Sequence, residues 1–241
     1  MSLTFGPGPF SHHTAGLLSA GELQSGTAYA EPYPRRVRAF LRGKVVLDSE
    51  RGWMVHTPGR LPELWVPAQD LSAAGLLPNA LHDFPAGDDQ VSSALAGFRS
   101  LDPDTPERWF VEDEPVYAHL RDPYHRVDVL TSHRHVVVEH AGTLIADTNR
   151  PKMLFETGLP PRYYLPWADV RLELLELSRT VSQCPYKGDG QHWSLHAGHD
   201  LVHDVAWSLP HPLPEGLAAA EHVCFYPDLV TVTVDGVRVE E

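Results

Sequence analysis

Lysine is nearly missing from these 241 residues and stands only as Lys44, Lys152 and Lys187. With arginine counted, 19 basic side chains face 32 acidic ones, a formal charge of −13, so the footprint that binding to a phosphate backbone requires is absent. Nucleic acid is not an expected partner. Cysteine is equally scarce, and Cys184 and Cys224 alone cannot staple a disulfide scaffold. No apolar run approaches the roughly 20 residues of a membrane-spanning helix, and the first residues show no basic start followed by an apolar stretch. A cytoplasmic protein with no membrane partner is the expectation. Missing too are a glycine-rich phosphate loop and a Gly-x-Ser-x-Gly elbow, so no cofactor is expected, although a Ser-His-Asp arrangement built otherwise stays open. Proline-free windows are few, because 22 prolines are spread along the chain and each interior proline removes a helical hydrogen bond.

Histidine is abundant. Its 15 copies would move the charge sum from −13 to about +2 if all were protonated, below their usual pKa of ~6.5. Self-association should therefore respond to mild acid; the oligomeric state itself is not written in the sequence.

Two stretches repeat at an offset of 99 residues (142 − 43 = 99): Gly43 to Asp70 and Gly142 to Asp169. Gly43 aligns with Gly142, Asp48 with Asp147, Arg51 with Arg150, Met54 with Met153, Pro67 with Pro166 and Asp70 with Asp169. A fixed period of this size means two structural units. The expected organisation is an N-terminal arm over 1–35, a first, diverged repeat over 36–132 and a second repeat over 133–241.

Each copy carries apolar residues on both sides of the shared glycine, Val37, Ala39 and Leu41 then Val45 and Leu47, and Val136 and Val138 then Leu144 and Ala146. Alternation broken by a glycine that adopts positive φ is a hairpin pattern. Further strands are expected at 53–57, 152–156, 64–66 and 163–165, over Val170, Leu172 and Leu174, and in a hairpin around Gly198. Val127 and Val129 should end the first copy, as Val230, Val232 and Val234 end the second; a helix fits only Gln90 to Phe98. The fold class is mainly β: two similar compact units of curved sheets, barrel- or sandwich-like, from an internal duplication, with little helix.

The copies differ where chemistry is richest. The second has Cys184-Pro185-Tyr186-Lys187-Gly188-Asp189 where the first has Phe84-Pro85-Ala86-Gly87-Asp88-Asp89. On a Pro/Gly-flanked turn, an ammonium three residues from a thiol can lower the thiol pKa and make a nucleophile, so Cys184 and Lys187 are the candidate catalytic pair. Against this, a lone Cys-x-x-Lys is equally a packed thiol beside a solvated amine. Asp147, Arg150, Glu156, Arg162, Tyr163 and Tyr186 are candidate ligand-binding residues, because arginine forks onto carboxylate or phosphate while aromatics wall a concave surface. Asp147 and Arg150 also suit a structural turn, since Asp48 and Arg51 repeat them; Glu156 and Arg162 are replaced by Thr57 and Glu63. His192, His196, His199 and His203 invite a metal reading, yet no ordered zinc spacing is present and no metal is expected. Trp193 and Trp207 fit core strands.

The motifs Gly142 to Asp147, Glu156 to Pro166, Cys184-Pro185-Tyr186-Lys187-Gly188 and Ala206-Trp207 followed by Pro210 and Pro212 together resemble domain-of-unknown-function family 427, labelled nucleotidyltransferase-like. The resemblance covers most of 134–238, and the first half, including Asp122-Pro123-Tyr124-His125-Arg126-Val127-Asp128, looks like the diverged partner of a tandem form. It implies a compact, mainly β cytoplasmic domain with a site at Cys184, Tyr186, Lys187 and Gly188. The expected function is a pocket for a small polar or anionic molecule in the second repeat, binding or catalytic. The alternatives are a non-catalytic assembly module and a nucleotidyltransferase-like enzyme.

Overall fold

The computed structural model describes residues 17–18, 28–57, 60–73, 75–77, 79–197 and 200–240. They form two compact units, 1–124 and 125–241.

In the first unit, a six-stranded sheet runs in the order Leu17–Leu18, Tyr29–Tyr33, Gly52–His56, Glu63–Pro67, Phe98–Leu101 and Leu81–Asp83. A four-stranded sheet orders Glu114–Pro115, Arg108–Val111, Val37–Leu41 and Lys44–Ser49. Alternation gives each strand of the larger sheet two apolar faces: Met54, Leu64 and Val66 meet Val37, Ala39 and Val46 of the smaller sheet, while Val55 and Trp65 face the other way. That second face is covered by a short helix, Gln90–Ala94, whose Asp89 carboxylate accepts from the Val91 and Ser92 amides.

The second unit repeats this frame. Its four-stranded sheet orders Thr143–Thr148, Val136–His140, Thr231–Val234 and Val237–Arg238. The larger sheet has seven strands in the order Val127–Thr131, Lys152–Glu156, Arg162–Pro166, His222–Phe225, Asp200–Ser208, Gly188–Ala197 and Leu175–Cys184. The sandwich core joins Val136, Val138 and Ile145 to Leu165, Leu195, Val223 and Phe225. None of the sheets closes into a barrel among the described residues.

Three expectations change. Val127–Thr131 pairs with Lys152–Glu156, so this strand opens the second sheet rather than ending the first repeat. Tyr29–Tyr33, assigned by sequence to the arm, pairs with Gly52–His56 inside the first sheet. Leu172–Leu174 is a 3-10 turn, not a strand; Val170 makes a single bridge to Ala146, and the extended run begins at Leu175. The Arg171 side chain supplies the local reason for the turn, donating to Glu173 and to the Leu144 carbonyl. The helix keeps only the first part of its expected span, and Gly198 of the expected hairpin lies outside the described residues.

The repeated Asp and Arg residues hold strand ends. Asp169 accepts from Thr148 Oγ1 at 2.6 Å and from the Arg150 guanidinium at 2.8 and 2.9 Å. In the first unit, Asp70 takes the same bonds from Ser49 and Arg51. The expected Asp147–Arg150 pairing is not formed, because Asp147 bonds His135 at 2.7 Å, as Asp48 bonds Arg36. Hydrogen bonds from Arg150 and Thr148 outweigh the opposing effect of burial and hold the Asp169 carboxyl at about 2. A depressed carboxyl stabilises the fold above its unfolded pKa and loses that contribution as pH falls, here between the ordinary 3.8 and about 2. With Arg150 exposed, Asp169→Asn should cost about 1–2 kcal/mol at neutral pH and flatten that acid limb, as read by urea melts at pH 7 and pH 2.5.

Candidate functional site

The larger sheet of the second unit has a face turned away from the sandwich core, and strand alternation selects what it carries. Leu154 lies on it with Glu156, Tyr164 with Arg162, and Cys224, Trp207 and Cys184 join Leu154 and Tyr164 in one apolar cluster with Val127, Leu209 and Ala219. The hairpin tip between Leu175–Cys184 and Gly188–Ala197 folds onto this face and inserts Tyr186 into the cluster.

Backbone fit fixes that tip. Gly188 pairs with Cys184 at φ +93°, and a Cβ there would stand 2.9 Å from the His211 carbonyl oxygen. The Lys187 carbonyl accepts from the Leu213 amide at 3.0 Å, and Gly216 packs so closely on Lys187 that a Cβ would be 3.0 Å from the same oxygen. Glycine is required at 188 for both its φ and its contact.

Held this way, Lys187 Nζ donates to Glu156 Oε2, and the other oxygen, Oε1, bonds His125 Nε2 at 3.0 Å. The His125 ring stacks on Tyr186 at 4.1 Å and 23°. The Glu156 side chain is only 6% exposed, Lys187 16% and His125 19%, so the three polar groups satisfy one another in a site largely shielded from water. His125 is absent from the residues selected by sequence. The missed signal is the pairing of Val127 with Glu156, which brings the residue two places before Val127 beside that carboxylate.

A row of rings runs across the same face. Trp207 Nε1 donates to the buried Tyr164 hydroxyl at 2.9 Å, and the Arg162 guanidinium lies 5.7 Å from the Trp207 ring centre. Trp207 contacts Tyr226 at 4.4 Å, Tyr226 stacks on His192 at 6.1 Å and 20°, and His192 Nε2 meets Ser182 Oγ at 3.1 Å. Burial, with Cys224 beside it, pushes the Tyr164 phenol well above its usual pKa, so it stays neutral.

Among the sequence-selected residues, Lys187, Tyr186, Glu156, Arg162 and Cys184 therefore share this face. Cys184 is half-buried against the apolar cluster. Tyr163 packs instead toward the sandwich core, Arg150 is held by Asp169, and Asp147 by His135 on the smaller sheet. His196 bonds Glu176 at 2.5 Å on the exposed side, while His192 is buried. The register shifts beside them add residues to the two neighbouring strands, so His192 and His196 keep one alternation, opposite Trp193 and Leu195, but bond different partners, Ser182 and Glu176. His203 is exposed, His199 lies outside the described residues, and no group of three or more potential metal ligands occurs among the described ones. In the first unit, a cleft of about 430 Å³ is walled by Pro32, Tyr33, Trp53 and Phe98, but Arg51 on its rim is engaged by Asp70. The chemistry of the second unit is elsewhere.

A carboxylate bonded to an imidazole fixes the ring's orientation, and here its second oxygen is held by the Lys187 ammonium. The arrangement can therefore orient a proton-transfer group beside an aromatic wall. Residues 128–236, within the second unit, match the family model described as a domain of unknown function (DUF427). No curated protein matches the chain. No helix among the described residues is long and apolar enough to cross a membrane.

Proposed function

With its second unit a DUF427 domain, we propose that this protein binds a small polar molecule on the outer face of the larger sheet of that unit, where His125 exchanges a proton with it. The single observation that carries this reading is the shielded His125–Glu156–Lys187 cluster. Folding alone gains little from taking three ionisable groups out of water, since desolvation offsets much of their attraction, whereas such clusters recur where a proton must be placed. Lys187 holds Glu156 in place, Glu156 orients His125, and Tyr186 fixes the ring plane. Arg162 over Trp207 offers a cation beside an aromatic surface, which favours a ligand with a carboxylate or phosphate next to an apolar part. Cys184 packs against apolar neighbours and receives no nucleophilic role.

The first unit keeps the frame and lacks this cluster, with Thr57 at the place of Glu156. Matching strand orders and the matching Asp70 and Asp169 brackets support descent of both units from one duplicated module. Cys184 and Cys224 are not joined as a disulfide, which suits a reducing, cytoplasmic setting.

A thermal-shift panel of small organic acids and phosphates tests the binding. At least one compound should raise the melting temperature of the wild type, and the shift should disappear in His125→Asn and in Arg162→Gln, which leave the Lys187–Glu156 pair in place. A panel without a single hit, or equal shifts in both variants, would overturn the reading.

A further inference from the structure

At the far end of the aromatic row stands a second reactive arrangement. We infer that Ser182 and His192 form a nucleophile and general base able to cleave small carboxylic esters, a site separate from the His125 cluster.

Four features build it. Ser182 is exposed on its strand, and its hydroxyl is 3.1 Å from His192 Nε2, within reach for proton transfer. His192 is 7% exposed, its ring fixed by the stack on Tyr226. The cross-strand partner of Ser182 is Gly190, where a Cβ would lie 2.6 Å from Ser182 Oγ; only glycine leaves the hydroxyl its place beside the imidazole. The other ring nitrogen, Nδ1, is buried without a hydrogen-bond partner among the described residues.

A carboxylate stands near the pair. Asp204 is held below the usual carboxylate range, first by a hydrogen bond from the Ser178 side chain, with Thr180 and the charge of His192 adding to it. The reaction uses the tautomer with the ring proton on Nδ1, which leaves Nε2 as acceptor of the Ser182 hydroxyl.

In the reaction, Ser182 Oγ bonds to the acyl carbon while its proton passes to His192 Nε2. The ester C–O bond breaks, and the leaving alcohol takes that proton. Water then attacks the acyl carbon, gives a proton to His192 and releases acid and the free hydroxyl, for which His192 returns the proton. Tyr226 and Trp207 beside the imidazole offer ring surface to an aryl ester.

The full-length protein is treated with a small alkyl fluorophosphonate, which forms a P–O bond to an activated serine and releases fluoride. One adduct is expected by intact mass, mapped to Ser182 in the wild type, absent after unfolding in urea and absent in Ser182→Ala. In His192→Gln, labelling should slow at least tenfold, and p-nitrophenyl acetate should be turned over by the wild type and not by Ser182→Ala. Failure to label, an adduct on another residue, or undiminished labelling of His192→Gln in a protein with native circular dichroism would each overturn the assignment. Because the readout is a covalent bond at Ser182, its result is independent of the ligand screen for the His125 cluster.

Discussion

Lys187→Ala is expected to lower the stability of the second unit by about 3 kcal/mol or more, because it strands a carboxylate in a shielded place. Glu156 is 6% exposed at its side chain, and its two oxygens are served by Lys187 and His125 alone among the hydrogen bonds described above. Once the ammonium is gone, its surroundings cannot replace it, since Leu154, Tyr164 and Tyr186 nearby offer mainly apolar surface. Lys187→Met should cost nearly as much, as its stem refills the space but supplies no charge. A paired change, Lys187→Met with Glu156→Gln, should recover a large part of the loss by removing the stranded charge together with its partner. Urea unfolding of the single and double variants measures this directly. If Lys187→Ala costs under about 1 kcal/mol, the pair behaves as an exposed ion pair and the shielded cluster is wrong.

Gly188→Val carries the second large effect. The φ of +93° penalises any β-branched residue, and the first added carbon meets the His211 carbonyl at 2.9 Å, a backbone atom that cannot step aside cheaply. Relief requires moving the segment that includes Leu213, which binds the Lys187 carbonyl. The variant should lose about 3 kcal/mol or more and release Tyr186 from its stack with His125, visible as faster amide exchange over 184–188. Gly142→Val, at φ +77° with no atom within 4 Å of its Cβ, provides the control for φ strain without collision and should cost distinctly less.

How much of this could be read from residues alone depends on range. The hairpins around Gly43 and Gly142 were legible because alternation and a positive-φ glycine are local signals, and Arg42 with Gly43 and Ala141 with Gly142 do adopt that turn. Asymmetry between the copies pointed to Lys187, Tyr186, Glu156 and Arg162, which lie on one face. His125 and Ser182 escaped for a different reason. Each becomes meaningful only through strand pairing, Val127 with Glu156 far along the chain and Ser182 with Gly190 across a single hairpin, and pairing register is not encoded in either strand by itself. The misread run at Val170 to Leu174 shows the converse: apolar spacing of two residues also fits a 3-10 turn whose ends are tied down by Arg171.

Cys224 lies 1% exposed beneath Tyr164 and Trp207, and the first 124 residues contain no cysteine at all. The molecule thus carries its own clock: alkylation of that one thiol proceeds only when the aromatic lid above it parts, so its rate times the opening of the second module by itself, with no label introduced and no signal from its neighbour.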